Sequence, residues 1–320
     1  MQSRLVGKQR LPLCFGHRGA SAAFPENTMA SFQAAIRDGS EGIESDVHVS
    51  RDNVVLMFHD PDLSRTTNGK GLIREQEYHG DSGMKHLRTT KEPHQPIPTF
   101  TETVALLMQT ENRHVEFNVD VKIWNDPDRL FGLMKSDIEA QENWQTDLAP
   151  RIILGLWHPR FIEPARRLLP YAIRSHIGLS PYIAREYFFK DVQNISIAFS
   201  ALCTVEGQRF LQECKASKKK VMVWTVNSPD QMVEATRWGV DAILTDVTKT
   251  WLDLRAALDK DYDATVALHG SRMFLWTNWY CYTPVQQFFW WGLRKRLENY
   301  GGPLTAAPPE PLAPTAAVAA

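Results

Sequence analysis

The sequence predicts an α/β protein folded as a (β/α)8 TIM barrel. Three observations point there. Short apolar runs alternate with helix-like segments along most of the chain, and strands alternating with helices imply a parallel sheet. Eight such units can be traced, and about 250 residues suffice to close a barrel of this kind. Polar residues gather at the C-terminal ends of the apolar runs, where the mouth of such a barrel collects its chemistry.

In chain order the strand candidates are LCFGH (13–17), GIESDV (42–47), EFNVDVK (116–122), RIILGL (151–156), AIRSHIGL (172–179), ISIAFS (195–200), VMVWTVN (221–227) and DAILTD (241–246). Most are dominated by aliphatic residues, as strands covered on both faces require. The first helix, NTMASFQAAIRDG, sets Met29, Phe32, Ala35 and Ile36 on one face, with Asn27 as N-cap and Gly39 as stop. SPDQMVEATRWG repeats that plan with Ser228 and Gly239. One run breaks the rhythm. VVLMFHD follows the second strand after only SRDN, and parallel strands need a crossover of about a dozen residues or more. It is therefore expected to fold back as a small antiparallel hairpin at the mouth, with His59 over Glu44 and Asp46. Residues 75–98 read as a long polar loop carrying solvated His79, His86 and His94.

The chain divides into a lead (1–12), the barrel (13–260), an aromatic and basic segment (261–300) and a Pro/Ala-rich tail (301–320) expected to be disordered. With 43% hydrophobic and 23% charged residues the composition is ordinary for a globular protein. A formal net charge of −1 supplies no global field for acidic partners, and no basic stripe with interleaved aromatics suggests nucleic acid. No obligate protein partner is evident. Cys14, Cys203, Cys214 and Cys281 are scattered and read as free thiols in a reducing compartment. The start lacks an apolar leader core and no run of about 18 apolar residues occurs. An intracellular location, with peripheral or monotopic membrane association, is expected.

The chemistry lies in the strand ends. The first strand ends in His17-Arg18, the second carries Glu44 and Asp46, and the hairpin ends in His59-Asp60. The third carries Asp120 and Lys122, the seventh Trp224 and Asn227, and the last ends in Asp246. Spacing by two puts Glu44 with Asp46, and Asp120 with Lys122, on the same side of a strand. Three carboxylates converging in a low-dielectric mouth repel and take up protons. A hard divalent cation relieves that, and oxygen ligands suit Mg²⁺ or Ca²⁺ rather than zinc. Arg18 and Lys122 beside it would clamp a phosphoryl group, and two histidines can exchange a proton near neutral pH. Plainer roles are open for others. His48 is expected either behind the site residues or exposed, Asp60 orients its loop, Asn27 either touches the site or only caps its helix, and Asp246 and His158 are structural.

GHRGASAAFPENTMASFQAAIRDGSEGIESDVHVSRDNVVLMFHDPDLSRTTNGKG resembles the glycerophosphodiester phosphodiesterase family: an HRG start, a PENT turn, an ExD pair, and an HD before an RTT segment. VWTVN and AILTD resemble the family's closing motifs, so the likeness spans residues 13–250. FNVDVK, ILGLWHPRFI and the aromatic tail are most similar to the fungal branch that includes phosphatidylglycerol phospholipase C. The resemblance implies a barrel with one divalent cation held by Glu44, Asp46 and Asp120. It implies acid/base catalysis by His17 and His59, phosphate binding by Arg18 and Lys122, and Trp224 lining the substrate cleft. Many relatives carry Glu where this chain has Asp120, a methylene shorter.

The segment RMFLWTNWYCYTPVQQFFWWGLRKRLENYGG is broken by Asn278, Pro284, Gln286 and Gln287, so a spanning helix is not expected. Trp and Tyr favour the membrane interface. Val285, Phe288, Phe289 and Leu293 recur at helical spacing before Arg294, Lys295 and Arg296. Residues 273–297 are thus expected to meet a membrane surface; the alternative is a helix packed on the barrel. The leading functional reading is a metal-dependent phosphodiesterase acting on a glycerophospholipid, phosphatidylglycerol-like, with diacylglycerol and glycerol phosphate as products. The rivals are the same chemistry on soluble glycerophosphodiesters or lysophospholipids, and a non-catalytic lipid-binding barrel.

Overall fold

The structure, a computed structural model, describes residues 5–6, 9–269 and 282–308. Eight parallel strands close a barrel: β1 (Leu13–His17), β2 (Gly42–Val49), β4 (Glu116–Val121), β5 (Ile152–Leu156), β6 (Ile173–Gly178), β7 (Asn194–Ala198), β8 (Lys220–Trp224) and β9 (Ala242–Thr245). Pairing of β9 with β1 and of β1 with β2 seals the cylinder. The expected hairpin is present as β3 (Val55–Met57), antiparallel to β2 with Val47 opposite Met57. Every expected strand is found; the seventh ends at Trp224, so Asn227 lies in the loop beyond it.

Helix α1 (Met29–Asp38) begins one residue later than the sequence suggests. Thr28, not Asn27, is the N-cap, and it forms a capping box with Ser31, which satisfies two otherwise orphaned N–H groups. Gly39 ends the helix in the left-handed region at φ 103°. Ser228 and Gly239 bound the Pro229–Trp238 helix as expected.

Apolar side chains fill two layers. Phe15, Ile153, Met222, Ala242 and Leu244 plug the barrel interior, while Phe32, Phe117, Phe131 and Trp251 are fully buried between strands and helices. Full burial of a large side chain contributes roughly 1.5–3 kcal/mol.

The excursion after β3 is more than a polar loop. Leu56, Phe58, Leu63, Ile73, Met84 and Ile97 bury one another in a small second core, so a few scattered hydrophobes hold a largely polar stretch. His79, His86 and His94 are exposed there, as expected. Asp52 fastens the excursion to the hairpin, accepting from Ser50 Oγ at 2.6 Å and from the N–H groups of Tyr78 and His79 at 2.8 and 3.0 Å. Burial raises its pKa, but these donors together outweigh it and hold the carboxyl at about 2. Asp52→Ala should lower stability by about 1–2 kcal/mol at neutral pH. The folded pKa is depressed, so this contribution is present above the ordinary value of 3.8 and is lost as pH falls towards 2. Denaturant melts of both proteins at pH 7 and pH 3 should show the gap narrowing.

The last described helix, Thr283–Gly301, lies across the mouth. Gln286, Trp290 and Leu297 are buried and Leu293 is half-buried against the core, a set recurring at helical spacing on one face. The apolar face expected from the sequence is therefore split. Leu293 points to the barrel, whereas Phe288, Phe289 and Trp291 face outward, Phe288 at 68% exposure. The tail also departs from expectation at its start. Leu304 is buried, the Gly302 carbonyl lies 3.1 Å from His158 Nε2, and Arg166 donates to the Pro308 carbonyl. Residues 302–308 are thus laid on the barrel rather than disordered, and His158 is structural as expected. The run 273–281, Cys281 and residues 309–320 lie outside the described residues. No described helix is long and apolar enough to cross a membrane.

Candidate active site

The barrel register assembles the site. His17 on β1 is level with Glu44 on β2, and Asp46 on β2 is level with Asp120 on β4. Glu44, Asp46 and Asp120 are buried, and one oxygen of each lies within 4.8 Å of the others. Lys122 Nζ bridges two of them, 2.7 Å from Asp46 Oδ1 and 2.8 Å from Asp120 Oδ2.

The loop after β1 is built around unusual backbone. Gly19 has φ 79°, and a Cβ there would fall 2.5 Å from the Ser31 backbone, so only glycine fits. Arg18 and Asn27 are both left-handed, at φ 56°. That strain is tolerated because each residue is tied into the site. The Arg18 N–H donates to Glu44 Oε2 at 2.8 Å, and its Nε sits 3.5 Å from Asp46 Oδ2 without a hydrogen bond. Asn27 Nδ2 donates to Asp46 Oδ2 at 2.7 Å, while its Oδ1 accepts from Ser45 Oγ at 2.6 Å. Of the two roles open to Asn27, contact with the site is the one realised.

Burial and the neighbouring Asp46 carboxylate push Glu44 up to about 8. Burial likewise raises Asp120, against the pull of Lys122. Asp46 goes the other way: Lys122 and Arg18 outweigh its burial and hold it well below the usual carboxylate value. With Glu44 tending to hold a proton, the three carboxylates have the burial, spacing and oxygen chemistry that fit a hard divalent cation.

Each imidazole is braced. His17 Nδ1–H donates to Asp246 Oδ1 at 2.7 Å, and His59 Nδ1–H donates to Asp60 Oδ1 at 2.6 Å. An ionised carboxylate can only accept, which fixes the tautomer and leaves Nε2 available. Burial opposes charge on Asp246, but His17, Ser21 and Asn227 outweigh it and hold the carboxyl at about 2. Burial disfavours charge on His17 as well, yet Asp246 and Glu44 raise its pKa. Burial, with the Lys122 and Arg18 charges, lowers His59, although Asp46 and Asp60 pull upward. Asp60 and Glu26 both pair with Arg65, and Glu26 reaches Arg18 at 3.0 Å. The two histidine loops are thereby tied together.

All the expected site residues lie at one mouth, with one adjustment. Asp246, expected as support, directly orients His17. His48, expected behind the site residues or exposed, takes the first place: it is buried with Nε2 3.1 Å from the His59 carbonyl, and burial lowers its pKa to about 4. Trp224 is half-buried at the end of β8, edge-on to Trp157 at 5.8 Å. Trp157 is the residue that sequence reasoning missed: its Nε1–H donates to Asp120 Oδ1 at 2.7 Å. Its position just after β5, matching Trp224 at the end of β8, was the available signal.

The sequence profile of the glycerophosphoryl diester phosphodiesterase family matches residues 17–250. A glycerophosphodiester phosphodiesterase of Bacillus altitudinis is 26% identical over 236 residues, covering 72% of this chain and 93% of that protein. One from Caldanaerobacter subterraneus is 26% identical over 259 residues, covering 76% and 97%. Among solved structures, an Oleispira antarctica phosphodiesterase in complex with the product sn-glycerol-3-phosphate superimposes with a TM-score of 0.63 at 23% identity, over 76% of this chain and 96% of that one. The likeness to that structure bears on the fold, a closed barrel of eight parallel strands with surrounding helices. Taken with the profile match over most of the sequence, these relations mean that the chain belongs to the glycerophosphoryl diester phosphodiesterase family and is a phosphoric diester hydrolase.

Proposed function

We propose that the chain hydrolyses a glycerophosphodiester with the help of one divalent cation, Mg²⁺ or Ca²⁺. The observation that carries this reading is the pairing of two carboxylate-braced imidazoles with a buried cluster of three carboxylates and a lysine. Glu44, Asp46 and Asp120 would hold the cation, which when bound supplies charge neutralisation at the phosphoryl oxygens. Arg18, whose Nε makes no hydrogen bond, and Lys122 would bind and orient the phosphate. His17 and His59 act at Nε2: one removes a proton from the attacking oxygen, and the other protonates the departing alkoxide. Trp224 lines the cleft beside Trp157.

The finer reading is a glycerophospholipid substrate, phosphatidylglycerol-like, cleaved to diacylglycerol and glycerol phosphate. Likeness of FNVDVK and ILGLWHPRFI to the fungal phosphatidylglycerol phospholipase C branch supports it. So do the rings of Phe288, Phe289 and Trp291, exposed on the helix that crosses the mouth, where they can meet a membrane surface. The competing reading, soluble glycerophosphodiesters, is favoured by the names of the bacterial relatives, which align over nearly their full length. Product release from phosphatidylglycerol vesicles and from soluble glycerophosphoglycerol, measured in parallel, separates the two. Diacylglycerol from vesicles is expected; cleavage of the soluble diester alone would discard the lipid substrate.

A further inference from the structure

Two cavities flank the catalytic groups, and their walls differ in kind. One, of about 390 Å³, lies on the His17 side between Arg18, Ser21, Glu26, Asn227 and Asp246. The other, of about 170 Å³, lies on the side of His59 and Lys122 and is walled by Trp124, Trp157, Leu179, Leu293 and Leu297. Only the first offers hydrogen-bonding side chains suited to a polyol. The second is apolar apart from its floor, where His59 and Lys122 stand, and its rim, where the Arg296 guanidinium lies 5.7 Å from the Trp124 ring centroid. Leu293 and Leu297 belong to the helix Thr283–Gly301, beyond the last residue of the family match. This wall is therefore an addition of this chain to the shared barrel mouth.

We infer that the helix Thr283–Gly301 makes the His59 side of the mouth a hydrocarbon subsite, which takes the apolar substituent of an asymmetric phosphodiester and makes Leu293 a specificity-determining residue. This rests on the phosphodiesterase reading above. Continuity fixes the occupant: the cavity opens directly onto Lys122 and His59, so what fills it is attached to the phosphate held there. Size fits too, since an apolar cavity of about 150 Å³ accepts a six-carbon group. Water between indole and leucine surfaces is poorly bonded, and its release favours an alkyl chain.

The test uses monomeric soluble substrates, so membrane binding plays no part. Alkyl esters of glycerol phosphate from methyl to decyl are compared by kcat/KM. A fully buried methylene is worth about fourfold, and the cavity is half-open, so a hexyl-to-methyl ratio of about 10 to 100 is expected. Leu293→Trp, which fills the cavity, and Leu293→Ala, which removes its wall, should each cut that ratio at least fivefold. A ratio near one in the native protein, or one unchanged in Leu293→Trp, would overturn the inference. Should the variants fail to fold, the native series decides: a rise up to about six carbons supports the subsite and a flat series refutes it. Should no ester be cleaved with cation present, calorimetry with hexylphosphonate and methylphosphonate takes over. A tenfold preference for the hexyl compound would keep the subsite and remove the activity, whereas equal affinities would remove the subsite.

Discussion

Alanine in place of His17 or His59 should reduce kcat by about 10²–10⁴ while leaving the protein folded. Both side chains are partly exposed, at 16% and 31%, so neither truncation opens a core cavity. Each removes a carboxylate-braced imidazole beside the carboxylate cluster. Asp246→Asn tests the same assembly from behind. Asp246 accepts from His17 Nδ1 at 2.7 Å and from Asn227 Nδ2 at 2.6 Å. An amide there can offer N–H towards Nδ1 and so favour the wrong tautomer of His17. A large loss in kcat with little change in KM is expected, with unchanged circular dichroism as the control. Equal activity in His17→Ala and the native protein would remove His17 from the chemistry.

Lys122→Met should damage the fold as well as the reaction. Lys122 is buried and neutralises Asp46 and Asp120 at 2.7 and 2.8 Å. These carboxylates raise its pKa against the effect of burial, so it stays charged. Removing one member of a buried ion cluster leaves the others uncompensated, at a cost of about 3–5 kcal/mol. A divalent cation in the same cluster would restore the missing positive charge. The loss should therefore be greatest in chelator, and the rise in melting temperature on adding Mg²⁺ or Ca²⁺ should be larger for Lys122→Met than for the native chain. An equal rise in both would mean that the cation does not share these carboxylates.

Much of this site was legible because barrel geometry converts strand position into spatial position. Knowing that residues 42–47 and 116–122 are neighbouring strands is enough to bring Glu44, Asp46, Asp120 and Lys122 together, since side chains repeat by two along each strand. The fold-back of residues 54–60 followed from the short SRDN connection in the same way. What stayed hidden depends on directions that spacing does not encode. For Asn27 the sequence left site contact and helix cap equally open; a left-handed backbone decides it, aiming the amide at Asp46 and leaving the cap to Thr28. The link from Trp157 to Asp120 depends on one side-chain orientation after β5. Composition misled at the C-terminus. A Pro/Ala-rich stretch suggested disorder, but the buried Leu304 and a backbone contact to His158 suffice to seat residues 302–308. The aromatic helix was foreseen, but which face turned inward was decided by the surface of the barrel.

We propose that the buried carboxylates Glu44, Asp46 and Asp120 hold a divalent cation and that phosphodiester hydrolysis depends on it. This dependence is tested most directly by glycerol phosphate release from soluble glycerophosphoglycerol, by the native chain and by Glu44→Gln, with chelator and after adding back Mg²⁺ or Ca²⁺. The native chain should lose activity in chelator and regain it with cation, and Glu44→Gln should stay at least a hundredfold below it throughout. Release that survives chelation, and that Glu44→Gln matches, would contradict the claim.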